Sequence, residues 1–346
     1  MNNLKLKSIV FDKEDDLTLI GKSNGDVLAY EDPDNLLIHI AKFLDGNHTL
    51  QELQQNLEEI GFNQSIDGLE SIISKVFIEE KLVFNPGDHY ILSDREVLKY
   101  DRILHFFSSF DNVDFLKAQQ MQQKLFKANI LVLGVGGTGG HTAHSLIASG
   151  IRNMTIVDFD NIEITNVTRQ MLYDESDLGS PKIEIAKQRL LKLNPEANIK
   201  IISKKIENTN DLLNIIGKEQ FDFVVNTMDN PRGKIRYIVD KALYDTNIPY
   251  IFNGSTGSKV VIGPTIQKEK TKSYSQLVPC SNIDDIVASI NDEIYVTNVI
   301  EPMNGAVGQL TAYEVIKYIT KCADLATWGE RVKLDMDLLE VNKYGY

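Results

Sequence analysis

The stretch Leu131–Gly140, LVLGVGGTGG, constrains the fold of this 346-residue chain more than any other. An apolar run that reads as a β-strand meets a turn carrying Gly134, Gly136, Gly137 and Gly139, and the turn opens into a helix. Glycines let a backbone approach phosphate closely, and the first turn of a helix offers free N–H groups and the positive end of its dipole. The next strand ends on Asp158, an acid placed to accept hydrogen bonds from ribose hydroxyls. By themselves these glycines fit a dinucleotide and a triphosphate equally well.

From Ala128 onward the pattern alternates between strand and helix. Strands are expected over 128–133, 154–158, 199–203, 221–226 and 250–253. Helices are expected from 138 to Gly150, over 181–193 and 210–216, and from Pro231 to Tyr244. Alternation of this kind builds a doubly wound, mainly parallel sheet, an α/β fold. Residues 259–310 read as further strands and a long irregular loop. A closing amphipathic helix is expected over Thr311–Lys321, with Ala312, Val315, Ile316 and Ile319 on one face.

The first 95 residues read as a separate module. They hold 18 acidic and 8 basic side chains, so −10 of the chain's −13 net charge lies there. Three short strands, SIVFDK, LTLIGKS and GDVLAY, are separated by turn signals. A helix is expected over Pro33–Leu44, with Ile38, Ile40, Ala41 and Leu44 at core spacing. Thr49 and Glu52 form a capping box for a second helix to Ile60, and a third follows over Ile66–Glu79. KLVF and HYILS are expected to close the module as a hairpin. The order is that of a small α+β, winged-helix-like binding domain.

Charge and composition exclude several classes. A strongly acidic chain lacks the basic footprint of a nucleic-acid binder. Its apolar runs are too short to span a bilayer, and its N-terminus lacks a signal-peptide core, so a cytoplasmic, non-membrane protein is expected. The two cysteines, Cys280 and Cys322, are too few for a disulfide framework or a four-thiolate zinc site, and each reads as a small packed residue. His141 and His144, one turn apart with no third ligand in view, read as packing residues.

The residues after Asp158 separate the two nucleotide readings. DFDNIEITNVTRQ gathers Asp160, Asn166, Arg169 and Gln170, and Lys182 follows in GSPK. NTMDN places Asp229 and Asn230 at the carboxyl end of strand 221–226, the end at which open α/β sheets bind ligands. A dehydrogenase has little use for an Arg, a Lys and an acid converging on phosphates. A nucleotidyl-transfer enzyme uses the cations to neutralise triphosphate charge and the acid to hold Mg²⁺.

GVGGTG, DFDNIEITNVTRQ, GSPK and TMDN, in this order and near these spacings, resemble the ATP site of the ubiquitin-activating-type adenylyltransferases, the MoeB/ThiF superfamily. The resemblance is close over 128–265 and looser through EPMNGAVGQLTAYEVIKYI, which resembles the family's return helix after its crossover loop. It implies a Rossmann-like domain over 128–346 with a crossover loop at about 265–300, and ATP with Mg²⁺ as ligands. It assigns Gly134, Gly136, Gly137, Gly139, Asp158, Asp160, Asn166, Gln170 and Asn230 to nucleotide binding. Arg169 and Lys182 fall to the phosphates, and Asp229 to the metal. It further implies a homodimer in which a helical linker, 96–127, carries Arg102 of KYDRIL into the partner's site. A carboxylate with a reference pKa of about 3.5 is ionised at neutral pH and attacks an α-phosphate without a general base. The lack of a serine or cysteine triad is therefore no objection.

Many bacterial members of that family carry two Cys-x-x-Cys pairs for zinc. Here TKSYSQL puts Ser273 and Ser275 at the first pair, so no zinc is expected. Cys280 is the one candidate thioester acceptor, a weak one. The order of the first 95 residues, with FLDGNHTLQELQQNL at its centre, resembles the PqqD-like elements that bind leader peptides by strand addition. Such a clamp ahead of an adenylating domain is most like the MccB-type microcin-maturing nucleotidyltransferases. The expectation is therefore activation of the C-terminal carboxylate of a ribosomally made precursor peptide, with the terminal residue and the final nucleotide left open. Activation of a ubiquitin-like carrier and non-catalytic leader docking are the alternatives.

Overall fold

The computed structural model describes residues 3–7, 9–22, 25–84, 91–110, 113–280 and 298–345, which divide into two compact units, Met1–Gln123 and Lys124–Tyr346.

In the first unit, β1 (Lys5–Leu6) is followed by β2 (Val10–Glu14), β3 (Leu17–Gly21) and β4 (Val27–Glu31). The last three form an antiparallel sheet with β3 in the centre, in the register Phe11↔Ile20 and Leu19↔Ala29. Helices α1 (Leu36–Phe43), α2 (Leu50–Glu59) and α3 (Ile66–Ile72) follow, and a π-helical segment, Ile73–Ile78, continues α3. Ile20, Ile40, Leu57, Leu69, Ile73 and Phe77 make their common core. The first helix starts later than the spacing predicts. Asn35 sits in the left-handed region at φ 62°, and the buried Asp32 carboxylate accepts from the Leu37 N–H (3.1 Å) and the Thr18 hydroxyl (2.8 Å). The Thr49–Glu52 capping box is present as read. KLVF pairs differently from the expectation: β5 (Val83–Phe84) lies antiparallel to β1. The first residues of HYILS are outside the described residues, and Ile91 and Leu92 donate to the Gln119 side chain rather than to a strand. Helices α4 (Asp94–Lys99) and α5 (Asp101–Ser108) complete this unit, and α6 (Phe115–Lys127) carries the chain into the next.

The second unit is an α/β fold on one eight-stranded sheet. Its strands are β6 (Asn129–Leu133), β7 (Asn153–Asp158), β8 (Asn198–Ser203), β9 (Phe223–Asn226), β10 (Tyr250–Thr256), β11 (Lys259–Ile266), β12 (Arg331–Asp335) and β13 (Glu340–Tyr344). They lie in the order 13-12-11-10-9-6-7-8, and β6 to β10 are mutually parallel. From β6 the chain first winds to β7 and β8, then returns to place β9 and β10 on the other side. A topological switch point therefore opens between β6 and β9 at their carboxyl ends. Strands covered on both faces are apolar throughout, as Ile130 to Leu133 and Phe223 to Val225 are. The connecting helices are α7 (Gly137–Ala148), α8 (Lys182–Leu193), α9 (Thr209–Ile216) and α10 (Ile235–Leu243), followed by the short α11 (Tyr274–Leu277).

Two features of this unit depart from the expectation. The closing helix α12 runs Glu301–Thr320, ten residues longer at its start than the amphipathic pattern predicts, and matches the return helix that the family resemblance implies. EPMNGAVGQL reads as irregular because of its glycines, but Gly308 is where α12 crosses α7. A β-carbon there would stand 2.5 Å from the His141 β-carbon and 2.7 Å from the Thr138 carbonyl. Packing outweighs the propensity cost of about 1 kcal/mol per glycine. The hairpin β12–β13, which extends the sheet beyond β11, was not foreseen. Of the expected loop over 265–300, residues 281–297 lie outside the described residues.

Candidate functional site

The glycine turn stands at the switch point, between the end of β6 and the start of α7. Gly134 takes φ +87°, its N–H donating to the Val157 carbonyl (2.8 Å). Gly139 lies so close beneath it that a β-carbon would be 2.0 Å from the Gly134 carbonyl oxygen. The Thr227 hydroxyl, from the loop after β9, bridges to the Leu133 and Gly134 carbonyls at 3.0 and 2.8 Å. One threonine thus joins the two loops that flank the crevice. Gly136 caps α7 and Gly137 opens it, with the Asn304 side chain of α12 packed over the latter.

Asp158 ties the neighbouring loop to this turn. One carboxylate oxygen accepts from the Val135 N–H (2.8 Å), the other from Phe159 (2.8 Å) and Asp160 (3.0 Å). A carboxylate has about four acceptor positions, so one remains for a ligand hydroxyl. Tyr173 closes the turn from the other side, its hydroxyl donating to the Val135 carbonyl (2.8 Å). Burial, reinforced by Asp158, Asp160 and Asp177, pushes that phenol well above its ordinary range and keeps it a donor.

The cations arrive on two routes. Lys182 begins α8, buried, with its ammonium 2.9 Å from Asp160. Arg169 is half-buried, its guanidinium on the Thr165 carbonyl and its own carbonyl accepting from Asn304 (3.1 Å). Asn166 is buried and shapes that loop, accepting from the Glu163 N–H (3.1 Å). Gln170 is only 5% exposed, with its amide oxygen unpartnered and its amide nitrogen facing Gly136. A buried carboxamide left open beside a helix N-terminus is what a ligand would satisfy. Asp229 and Asn230 are exposed in the loop after β9, 3.4 Å apart.

The fold therefore gathers the glycine turn, Asp158, Asp160, Gln170 and Lys182 through direct contacts, with Arg169 linked through Asn304. Arg102 belongs to the first unit, on α5, with its side chain 94% exposed and 3.6 Å from Asp101. Thr227, Tyr173 and Asn304 were missed by sequence reasoning. Thr227 lies inside the TMDN motif and was findable there. Tyr173 carries no local signal, and Asn304–Gly305 reads locally as a turn.

The two serines at the expected thiol positions have hydrogen-bonding roles. Ser273 caps α11, and Ser275 donates to the buried Asp240 carboxylate (2.6 Å), which also accepts from Tyr250 (2.5 Å). His141 is buried against α12, 3.0 Å from Glu301, and burial lowers its pKa against the pull of that carboxylate.

A cleft of about 630 Å³ lined by Lys218, Asp222, Asn247 and Tyr318 opens at the amino ends of β9 and β10. It is the wrong end of the sheet for α/β ligand chemistry. Asp222 there is already engaged by the Asn129 N–H (2.8 Å). Among the described residues, no group of three or more His, Cys, Asp or Glu could hold a metal ion, and no helix is long and apolar enough to cross a membrane.

Residues 100–343 match the ThiF family. The molybdopterin-synthase adenylyltransferase of Haemophilus influenzae is 30% identical over 226 residues, 65% of this chain and 85% of that protein. The sulfur carrier protein adenylyltransferase of Thermus thermophilus is 30% identical over 202 residues, 57% of this chain and 71% of that protein. A crystal structure of Escherichia coli MccB with AMPCPP and MccA superposes with a TM-score of 0.78 at 25% identity, covering 100% of this chain and 97% of that one.

Proposed function

This chain belongs to the ThiF family and is an ATP-dependent adenylyltransferase; from that premise we propose that it activates the C-terminal carboxylate of a ribosomally made peptide held by its N-terminal unit. The observation that supports a peptide is the extent of the likeness. MccB, solved with MccA, is matched through the whole of this chain, whereas the Haemophilus relative matches 65% of it. In this reading residues 1–95 form the leader clamp. Among the described residues, the sheet β2-β3-β4 leaves both outer strands unpaired, with Val10 and Val27 exposed on them, as strand addition requires.

In the reaction the peptide carboxylate, already ionised, attacks the α-phosphorus of ATP as the bond to pyrophosphate breaks. The N–H groups at the start of α7 and the Gln170 carboxamide hold phosphate oxygens. Arg169 and Lys182 neutralise the charge that develops on the leaving group. Asp158 offers its remaining acceptor position to the ribose, and Asn166 and Asn230 shape the loops on either side. Asp229 would hold Mg²⁺. One carboxylate together with the nucleotide's phosphates is a usual donor set for that ion, and Asp229 is exposed at the crevice loop. When bound, the ion supplies charge neutralisation along the phosphates. In a homodimer the exposed Arg102 would serve the partner's site. The product is a nucleotidylated peptide, as intermediate or as end point. Carrier-protein activation is the second reading, favoured by the name and 30% identity of the Thermus relative.

Calorimetric titration with ATP, CTP and NAD, each with Mg²⁺, tests the site. ATP should bind, and Arg169→Ala should weaken it at least roughly tenfold, the loss of one charge-assisted contact. NAD binding alone would overturn the assignment. Pyrophosphate release then separates the substrates. Short peptide acids should stimulate it where their C-terminal amides do not. Stimulation by a glycine-terminated carrier protein alone would favour the second reading.

A further inference from the structure

The segment after β7 and the segment before α8 are laced together. Ile162 donates to the Ser180 carbonyl and Gly179 to the Ile162 carbonyl, both at 2.9 Å, and the Lys182 N–H donates to the Asp160 carbonyl at 3.0 Å. Asp160 therefore meets Lys182 twice, through this backbone bond and through its carboxylate, 2.9 Å from the ammonium. The exposures of the two side chains are unequal. Lys182 is 7% exposed, while Asp160 is 46% exposed. A buried ammonium needs a counter-charge, and the counter-charge here stands at the rim of the crevice. A lysine has three donors on a flexible stem, so a single anion fixes its direction and leaves two donors for another. The Asp160 N–H in turn donates to Asp158, which holds the glycine turn.

We propose that Asp160 is a positioning residue that acts on the nucleotide only through Lys182, neutralising and aiming the buried ammonium before the triphosphate arrives. Direct contact between Asp160 and the nucleotide, as the family resemblance implies, is not needed. The triphosphate then binds a side chain whose ordering has already been met by folding, which is preorganisation. This inference rests on the nucleotide reading of the site.

A double-mutant cycle read by calorimetry with MgATP tests it. Asp160→Ala should weaken ATP roughly tenfold, within the usual range for coupled neighbours. In a Lys182→Met background the same change should alter affinity by less than about twofold, because the residue it acts through is gone. A general structural role would lower affinity by the same factor in both backgrounds, and so would direct contact with the nucleotide; either equality overturns the proposal. So does an Asp160→Ala protein that binds ATP as well as wild type. If Lys182→Met binds too weakly to measure, Lys182→Arg provides the second background, where the Asp160→Ala effect should shrink. A wild-type protein that binds no ATP would instead overturn the nucleotide reading itself.

Discussion

The first unit and the switch point of the second handle polar groups in opposite ways. In the first unit most are used locally, and two capping boxes, Thr49–Glu52 and Ser93–Glu96, each close over four residues. In the second unit the polar groups around the switch point reach across the fold. Asp158 holds Val135, Thr227 holds Leu133 and Gly134, Asn304 holds Arg169, and Lys182 holds Asp160. Local bonds stabilise elements one at a time. Long-range bonds fix loops against one another, as a site needs in order to present several groups to one ligand.

The strongest way to break this contrast is Gly139→Ala. Its β-carbon cannot fit against the Gly134 carbonyl, so the turn must shift. ATP binding should be lost in calorimetry, and chemical denaturation should show a loss of about 3 kcal/mol, the upper range for overpacking. Asp32→Ala probes the other unit. It leaves the Thr18 hydroxyl and the Leu37 N–H without their acceptor, which should cost about 2 kcal/mol in the same denaturation experiment. The ATP dissociation constant should stay within about twofold, the tolerance for sites that act independently. A large change would mean that the two units do not act independently on ATP.

The smallest effect is expected at the surface of the second unit. The Ser176 hydroxyl and Arg189 hold the Asp174 carboxyl down at about 2. A carboxyl depressed in the folded state stabilises above its ordinary value and loses that contribution as pH falls through the folded one. Wild type should therefore lose more stability than Asp174→Asn between about pH 4 and pH 2, as thermal melts across that window would register. Parallel acid limbs would remove this pair from the account. The contribution is modest because the group is exposed.

The same contrast explains what could be read in advance. The capping box at Thr49, the three antiparallel strands, the alternation after Ala128 and the glycine turn are all written in residues a few positions apart. The late start of α1 depended on Asp32 folding back to Leu37, and the pairing of Val83–Phe84 with Lys5–Leu6 joins residues nearly eighty apart. The first ten residues of α12 look like a loop because the partner that makes Gly308 useful, His141, is far away in sequence. At the site, the glycines, Asp158, Arg169, Lys182 and Asp229 were named from their motif, whereas Tyr173 and Asn304 carry no local mark of their roles.

What the sequence determined by itself was periodicity and chemistry. A strand, a phosphate-sized turn, a helix, and cations and acids spaced along the following loops point to a nucleotidyl-transfer site, and the family resemblance of those motifs implies adenylation. Only the tertiary structure decided which groups meet. The winding of β9 back beside β6 created the crevice, the ladder between Asp160–Ile162 and Gly179–Lys182 delivered a buried ammonium to a rim carboxylate, and Gln170 was left open beside Gly136. Local pattern records the preference of each segment for its own conformation. Partners dozens of residues apart are chosen by burial and closure of the whole chain, which no short window contains.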